Sequence, residues 1–220
     1  MKNKDKLGMK LLFYFGGLLV MALGVIISSK ANLGVPPSSS IAYTMDVCFG
    51  IPIGVATVPF FAVLVLLQIL LLRKNYKLIN LLQLPVGIVF GIFLTSFQKL
   101  FTGIPTPDNF LLKLVMLLIS TVFVAAGLFL YISPGFITLA PDGFILAVAT
   151  VTKKKYHDVK IVFDVSMVTV SMITCLLVIH SLGSVGIGTV ISAVIIGYEI
   201  KLMTKFFGKQ RDELLGLDAK

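Results

Sequence analysis

The sequence predicts an all-α protein, a polytopic bundle of transmembrane helices. The chain is 57% hydrophobic and only 13% charged, its mean hydropathy is +1.02, and long apolar runs recur along its length. An ordinary soluble domain is about a quarter charged. A soluble chain of 220 residues could not bury this much apolar surface, whereas a lipid bilayer accepts it.

Six apolar runs each approach the roughly 20 residues that a helix needs to cross about 30 Å of hydrocarbon. They are Leu11–Ser29, Ile53–Leu72, Leu78–Leu100, Leu111–Ile132, Val159–Ile179 and Ser184–Met203. The first run is longer than the apolar core of a signal peptide, so we interpret it as a retained span. No intervening stretch is long and polar enough for a soluble domain, and residues 1–220 are predicted to form a single membrane domain.

Two shorter apolar segments, Pro36–Phe49 and Pro141–Val151, begin with proline, which suits the first turn of a helix. At 1.5 Å per residue they reach only about 17–21 Å, too little to cross the hydrocarbon unaided. We therefore expect two short re-entrant helices that enter the membrane and turn back. The alternative is that both segments cross, which gives eight spans.

The two halves of the chain share one pattern. Ala22 and Gly24 lie in the first apolar helix, and Ala125 and Gly127 lie 103 positions later in the fourth. A Gly/Pro-broken segment and two long apolar runs follow in each half. We predict an internal repeat of residues 10–101 and 113–207, each with three spans and one re-entrant helix. Three spans per half would invert the second repeat in the membrane, as in many transporters, whereas four would make the repeats parallel.

Basic residues give the chain a net charge of +9, but they lie in short clusters between the apolar runs. Nucleic-acid binders instead gather such charge on a soluble face, so no nucleic-acid partner is expected. The expected partner is the lipid bilayer. By the positive-inside rule, the clusters at both chain ends and at Lys153–Lys155 place the N- and C-termini in the cytoplasm.

The first broken segment contains four candidate binding residues. Ser38, Ser39 and Ser40 lie in the first turns of the first short helix, where unpaired N–H groups favour an anion. The alternative is that their hydroxyls cap those same N–H groups. Asp46 lies well inside the helix, where an ionised carboxylate usually faces a cavity or a partner; the alternative is a shallow helix with Asp46 at its mouth.

Four further candidates lie in or near the spans. Asp142 holds the matching place in the second broken segment, either as a helix cap or as a cation or proton site. Asp164 follows Lys160 by four positions, which favours a local ion pair over a site carboxylate. Asn80 and Thr189, about 109 positions apart, fit the repeat and could hydrogen-bond across helices. Glu199, next to Lys201, is interpreted as interfacial.

The sequence gives no sign of an enzyme. Phosphate-loop, metalloprotease and hydrolase motifs are absent, so no catalytic residue, cofactor or metal site is expected. Cys48 and Cys175 lie in different segments and are expected to be buried thiols. Gly87 and Gly91 form a Gly-x-x-x-Gly pair, which serves packing within the bundle or a homodimer face.

Several motifs together resemble the YitT/YczE-like family of bacterial integral membrane proteins over about Leu11 to Phe207. They are Ser29–Pro36, Asn80–Gly87, Ala140–Gly143, Lys160 with Asp164, and Gly186–Gly197. The resemblance implies a bacterial plasma-membrane protein, with the recurring polar positions of the family falling on Asn80, Asp142, Asp164 and Thr189. Pro37-Ser38 stands where the YczE pattern has an acidic residue, which argues against a symmetric acidic pair. No C-terminal soluble domain of the YitT type is expected.

Paired broken segments in two repeats favour a secondary transporter or permease for a small polar, anionic solute, which would bind between the halves. One alternative is the substrate-capturing membrane subunit of an energy-coupling vitamin transporter. Another is a membrane assembly factor that transports nothing.

Overall fold

The computed structural model describes residues 2–183 and 185–217. Ser184, the first residue of the sixth predicted span, lies outside the described residues, as do Met1 and residues 218–220. The described residues form eight α-helices and three short 3₁₀ turns, without a β-strand. The α-helices are α1 (Lys2–Ala31), α2 (Ser40–Phe49), α3 (Ile53–Leu72), α4 (Gln83–Leu100), α5 (Phe110–Ile132), α6 (Ala140–Thr152), α7 (Tyr156–Ile179) and α8 (Ile187–Leu215).

The predicted all-α membrane bundle is confirmed. Among the described residues, six helices are long and apolar enough to cross a membrane, namely α1, α3, α4, α5, α7 and α8. The 3₁₀ turn Pro37–Ser39 leads into α2, and α2 and α6 have 10 and 13 residues. Because such helices reach only about 15–20 Å, they are too short to cross unaided, which favours six spans over eight.

The centre of the bundle is the pair formed by α1 and α5, which lie along each other. An added Cβ on Gly24 would lie 2.7 Å from Val124 N and 2.9 Å from Ser120 O. On Gly127 it would lie 2.5 Å from Met21 N and 2.6 Å from Gly17 O. In lipid, small residues favour association because they let helix backbones approach closely.

These contacts are reciprocal. The 103-residue offset that relates Gly24 to Gly127 also relates Met21 to Val124 and Gly17 to Ser120. The other contacts follow the same rule: α4 packs on α1 as α8 packs on α5, and α2 packs on α7 as α6 packs on α3. Two equivalent halves would produce this arrangement. It supports the internal repeat, which stays a prediction.

The sequence places the end of the last span differently from the structure. The helix of the last span does not end near Met203 but continues to Leu215, which is fully buried. Arg211 in this extension lies over the Phe129 ring, 4.5 Å from its centroid. The Gly-x-x-x-Gly pair packs within the bundle, with Gly87 against Phe61 and Gly91 against Gly54, both in α3. This contact agrees with the first of the two interpretations of the motif.

Candidate functional site

A cavity of about 240 Å³ lies between the two halves. All eight helices contribute side chains to its wall, as does the 3₁₀ turn before α2. The N-terminal ends of the two short helices meet there, represented by Ser38 and Ser39 on one side and Pro141 and Asp142 on the other. Most of the wall is apolar. Its phenylalanine side chains are Phe60, Phe61 and Phe90, of which Phe61 and Phe90 are stacked with their ring planes 5° apart.

The N-terminus of α6 is held in place by two glutamines from the first half. Gln68 Nε2 donates to Gln83 Oε1 at 2.9 Å and to the carbonyl oxygen of Ala140 at 3.3 Å. Both glutamines are buried. Gly143 leaves room for this pair, since an added Cβ would collide with the Gln83 amide. The Ala-Pro-Asp-Gly motif therefore has two roles at the site. Gly143 leaves space for the two glutamine side chains, and Asp142 lines the cavity.

Two tyrosine hydroxyls donate to the Asp142 carboxylate. Tyr131 Oη lies 2.6 Å from Asp142 Oδ2, and Tyr156 Oη lies 3.1 Å from Oδ1. Tyr131 is 1% exposed, whereas Tyr156 is 41% exposed. Hydrogen bonds to a charged group are among the strong ones in proteins, and here they satisfy both carboxylate oxygens inside the membrane protein. Asp142 thus has more partners than a helix cap requires.

Lys160 supplies the positive charge in the cavity wall. It lines the cavity, and its Nζ lies 3.0 Å from Asp164 Oδ2, one helical turn along α7. The local ion pair expected from the sequence is present, and Asp164 itself does not line the cavity. Because an ammonium group has three donors, Lys160 keeps N–H groups for a ligand while it is paired.

Two of the three serines, Ser38 and Ser39, are half-buried and line the cavity. Ser39 is the N-cap residue of α2, but its side chain makes no capping hydrogen bond. Ser38 also lines the cavity. Ser40 differs, because it is fully buried and its Oγ donates to the Pro37 carbonyl at 2.8 Å. The site therefore contains Ser38 and Ser39, whereas Ser40 stabilises the turn.

The remaining predicted residues lie away from the cavity. Asp46 Oδ2 accepts a hydrogen bond from Gln98 Nε2 at 2.9 Å, near the C-terminal end of α2. Asn80 is half-buried in the 3₁₀ turn before α4. Thr189 is buried beside Gly34 at the start of α8, where it packs the first broken segment against the last span.

Sequence reasoning missed both tyrosines and the aromatic wall. Tyr131 lies 11 positions before Asp142 and Tyr156 lies 14 positions after it, at the ends of two other helices. Only a tyrosine close to a membrane boundary and a proline-led segment would have suggested the contact. Phe61 and Phe90 carry no local signal, because phenylalanine is common in every span.

The arrangement suits reversible binding of an organic solute. Its walls are apolar, one end has serine hydroxyls, and the other has Lys160, Asp142 and Tyr156. Within residues 2–183 and 185–217, no three metal-binding side chains come together. The cavity lies below the roughly 300–1,000 Å³ of drug-sized ligand sites, so a solute that fits it is small.

The two halves are packed unequally around the cavity. At the side opposite the termini, α3 packs closely on α4, with Gly54 against Gly91 and Thr95. The corresponding helices α7 and α8 have no comparable packing in the described part of the chain. Tyr156 and Lys160, in the first turns of α7, line the cavity on the side of the termini. The less tightly packed side is therefore the one that carries the charged groups.

Comparison with known proteins places the chain in a family. Residues 8–205 match the family of unknown function DUF6198. The chain is 24% identical to the uncharacterized membrane protein YczE of Bacillus subtilis (strain 168), over 96% of this chain and 91% of YczE. It is 22% identical to the uncharacterized protein YyaS of the same organism, over 84% and 87%.

No solved structure gives a significant match to the chain. The family match, however, extends over all six spans, and the similarity to YczE confirms the YczE-like resemblance seen in the motifs. The chain is therefore a multi-pass membrane protein that belongs to the YczE-like family DUF6198.

Proposed function

We propose that the protein is a secondary transporter of a small organic anion that works by alternating access between its two halves. The observation that carries the proposal is the cavity shared by the N-terminal ends of α2 and α6. Transporters built from repeats bind their solutes at such broken helices near the middle of the membrane.

The cavity refines the expected solute. A strongly polar molecule would leave the phenylalanine walls unused and lose its hydration without compensation. A small molecule with an apolar body and one anionic group fits both parts of the site. Its anionic group would bind the free N–H groups of Lys160, and its body would lie against Phe61 and Phe90.

The unequal packing of the halves supports the mechanism. In this conformation α3 and α4 close the side opposite the termini, while α7 and α8 are apart. We assign the termini to the cytoplasm of a bacterial plasma membrane, in keeping with the basic clusters and the Bacillus relatives. The conformation is then inward-facing, and the outward-facing state would bring α7 onto α8 and part α3 from α4.

The test uses the purified protein in liposomes with a panel of small carboxylates and matched neutral molecules. We expect saturable uptake of at least one carboxylate. Lys160→Gln should lower kcat/KM about tenfold or more, because the anionic group of the solute then loses a charged hydrogen bond of about 1.5–3 kcal/mol, which corresponds to at least that factor. Lys155→Gln is the matched control, since this lysine is exposed at the N-cap of α7 and does not line the cavity.

Equal effects of the two substitutions would contradict the role of Lys160. Binding of a solute without flux would favour a capture subunit that depends on a coupling partner. A folded protein that neither binds nor moves any member of the panel would overturn the transporter proposal in favour of an assembly factor.

A further inference from the structure

Glu199 lies much deeper in the membrane than its sequence neighbours suggest. It is the thirteenth residue of the 29-residue helix α8, so its Cα lies roughly 18 Å along the helix from Ile187. That depth is inside the roughly 30 Å hydrocarbon layer and not at its edge. An ionisable side chain there is costly and usually functional.

The hydroxyl of Thr121 can serve Glu199 in both of its protonation states. Glu199 Oε1 lies 3.1 Å from Thr121 Oγ1 of α5, and Thr121 Oγ1 lies 2.8 Å from the carbonyl oxygen of Leu118. A threonine hydroxyl has one hydrogen to donate but can also accept. When it donates to Leu118, the Glu199 contact is a hydrogen bond only if the carboxyl is protonated and donates to Thr121. Ionised Glu199 would require the hydroxyl to rotate away from Leu118.

Further polar atoms lie on the same helix face. Glu199 Oε2 is buried and has no hydrogen-bond partner among the described residues. Ser192, two turns toward the start of α8, is fully buried and its Oγ likewise has no partner within that part of the chain. Packing alone does not require these groups, since the corresponding position to Thr121 in the first half is the fully buried Leu18.

The side chains at Glu199 and Thr121 suit a proton better than a metal cation. A metal cation needs several oxygen ligands at once, whereas Glu199 and Thr121 supply one carboxyl and one hydroxyl. A proton needs only the carboxyl and one hydrogen-bond partner. We propose that Glu199, with Thr121, is a proton-binding site of this protein and couples proton binding to solute transport.

The site is connected to the cavity through its neighbours, and the coupling part of the inference rests on the proposed transport function. Ile200, the next residue of α8, lines the cavity, as does Val124, three positions after Thr121 on α5. A change in the Glu199–Thr121 hydrogen bond alters the contact between α5 and α8. Protonation therefore reaches the wall of the cavity without Glu199 touching the solute.

Other titratable groups lie apart from this pair. The helix α8 packs against α5, α1 and the turn Pro37–Ser39. Tyr14 of α1 donates to the carbonyl of Ile137, and Tyr131 of α5 donates to Asp142. The lysines of these helices lie near their ends and make no hydrogen bond to Glu199 in the described chain: Lys6, Lys10 and Lys30 of α1 and Lys113 of α5.

The test is labelling with dicyclohexylcarbodiimide, an apolar reagent that modifies protonated carboxyl groups, followed by peptide mass spectrometry of the full-length protein. We expect Glu199 to be labelled at acidic and neutral pH, with labelling falling as the pH rises. Glu199→Gln should remove the label, and Glu213, exposed near the end of α8, is the internal control that should not react. No labelling of folded protein at any pH, or labelling independent of pH, would overturn the proposal.

Two substitutions of Thr121 separate a proton site from a merely buried carboxyl. Thr121→Val should extend labelling to more alkaline pH, because the ionised carboxylate loses its hydrogen-bond donor, and Thr121→Ser should restore the wild-type profile. Identical profiles for all three proteins contradict the pairing. If labelling behaves as expected but no solute crosses liposomes, the transport function fails while the proton site stands. If transport occurs and its pH dependence survives Glu199→Gln, the coupling is wrong.

Discussion

At the scale of single residues, Asp142 shows how a membrane protein can retain a carboxylate without a direct salt bridge. Both of its oxygens accept from tyrosine hydroxyls, and its backbone lies in the first turn of α6, where the helix dipole favours negative charge. The nearby Lys160 is committed in part to Asp164. The site therefore has a satisfied anion beside a cation with spare donors, which suits a ligand that arrives and leaves.

The two tyrosines should contribute unequally to stability. Tyr131→Phe removes a buried donor to a carboxylate, and we expect a loss of about 1.5–3 kcal/mol in the free energy of unfolding. Tyr156→Phe should cost less than about 1 kcal/mol, because this hydroxyl is more exposed and water can replace it. Unfolding in mixed detergent micelles measures both. Equal losses for the two variants would contradict the geometry of the site.

Only part of the site could be predicted from sequence, and the reason is physical. Asp142 has a local signal, because a proline, an acidic residue and a glycine follow one another at a helix start. Tyr131, Tyr156 and the buried Gln68 contribute through contacts between helices, which no local pattern encodes. The interfacial interpretation of Glu199 rests on Lys201, two positions later, whereas the depth inferred from the structure depends on where the helix begins.

At the scale of helices, close packing depends on individual glycines. Gly17 and Gly16 are neighbours in α1, yet an added Cβ on Gly17 would lie 2.5 Å from Tyr131 N and 2.8 Å from Gly127 O, while one on Gly16 meets nothing within 4 Å. The two positions form a matched pair. They separate the effect of helix propensity from the effect of contact with α5.

Gly17→Ala should therefore lower the free energy of unfolding by about 1–3 kcal/mol, the usual cost of overpacking. Gly16→Ala should be neutral or raise it by up to about 1 kcal/mol, because alanine is the better helix former. Thermal unfolding in detergent distinguishes the two. A destabilised Gly16→Ala beside an unaffected Gly17→Ala would show that α1 presents a different face to α5.

The placement of α2 can be tested with native thiols. Cys48 Sγ of α2 and Cys175 Sγ of α7 lie 3.6 Å apart. Copper-phenanthroline should oxidise the pair to a disulfide, taking two electrons and releasing two protons, and so protect both thiols from maleimide in denatured protein. Cys48→Ala and Cys175→Ala are the controls, each keeping one reactive thiol. Thiols that stay reactive after oxidation would show that α2 does not lie against α7.

Helix positions were easier to predict than helix lengths. The span Ile53–Leu72 coincides with α3, because an apolar run bounded by polar residues defines both the membrane segment and the helix. The prediction for the last span stops near Met203, since hydropathy reports the edge of the membrane and not the end of hydrogen bonding. Leu215 and Arg211 extend α8 by packing against other parts of the bundle.

At the scale of the whole molecule, the important feature is the difference between two halves that otherwise make corresponding contacts. Glycines let α3 and α4 touch, whereas Gly197 of α8 has open space around it. A molecule built from two similar units can exchange such arrangements, since each half can in principle adopt the conformation of the other. Under the proposed mechanism, the site would then face alternate sides of the membrane without moving far itself.

Gly54→Val tests this exchange. An added side chain would collide with the Gly91 carbonyl and the Thr95 hydroxyl, so α3 should separate from α4 and open the side opposite the termini. The reporter is Ser39→Cys, a cavity residue, in a protein whose Cys48 and Cys175 are replaced by alanine. A membrane-impermeant maleimide should reach the reporter from the side of the termini when Gly54 is present.

With Gly54→Val, labelling should instead become several-fold faster from the opposite side. Val55→Leu is the matched control, because Val55 is the next residue of α3 and its side chain is 53% exposed, so a larger side chain there need not separate the helices. A reporter that reacts from the same side in all three proteins would mean that the α3–α4 contact does not close the cavity. The packing difference between the halves would then be a fixed feature of the fold, and alternating access would lose its structural basis.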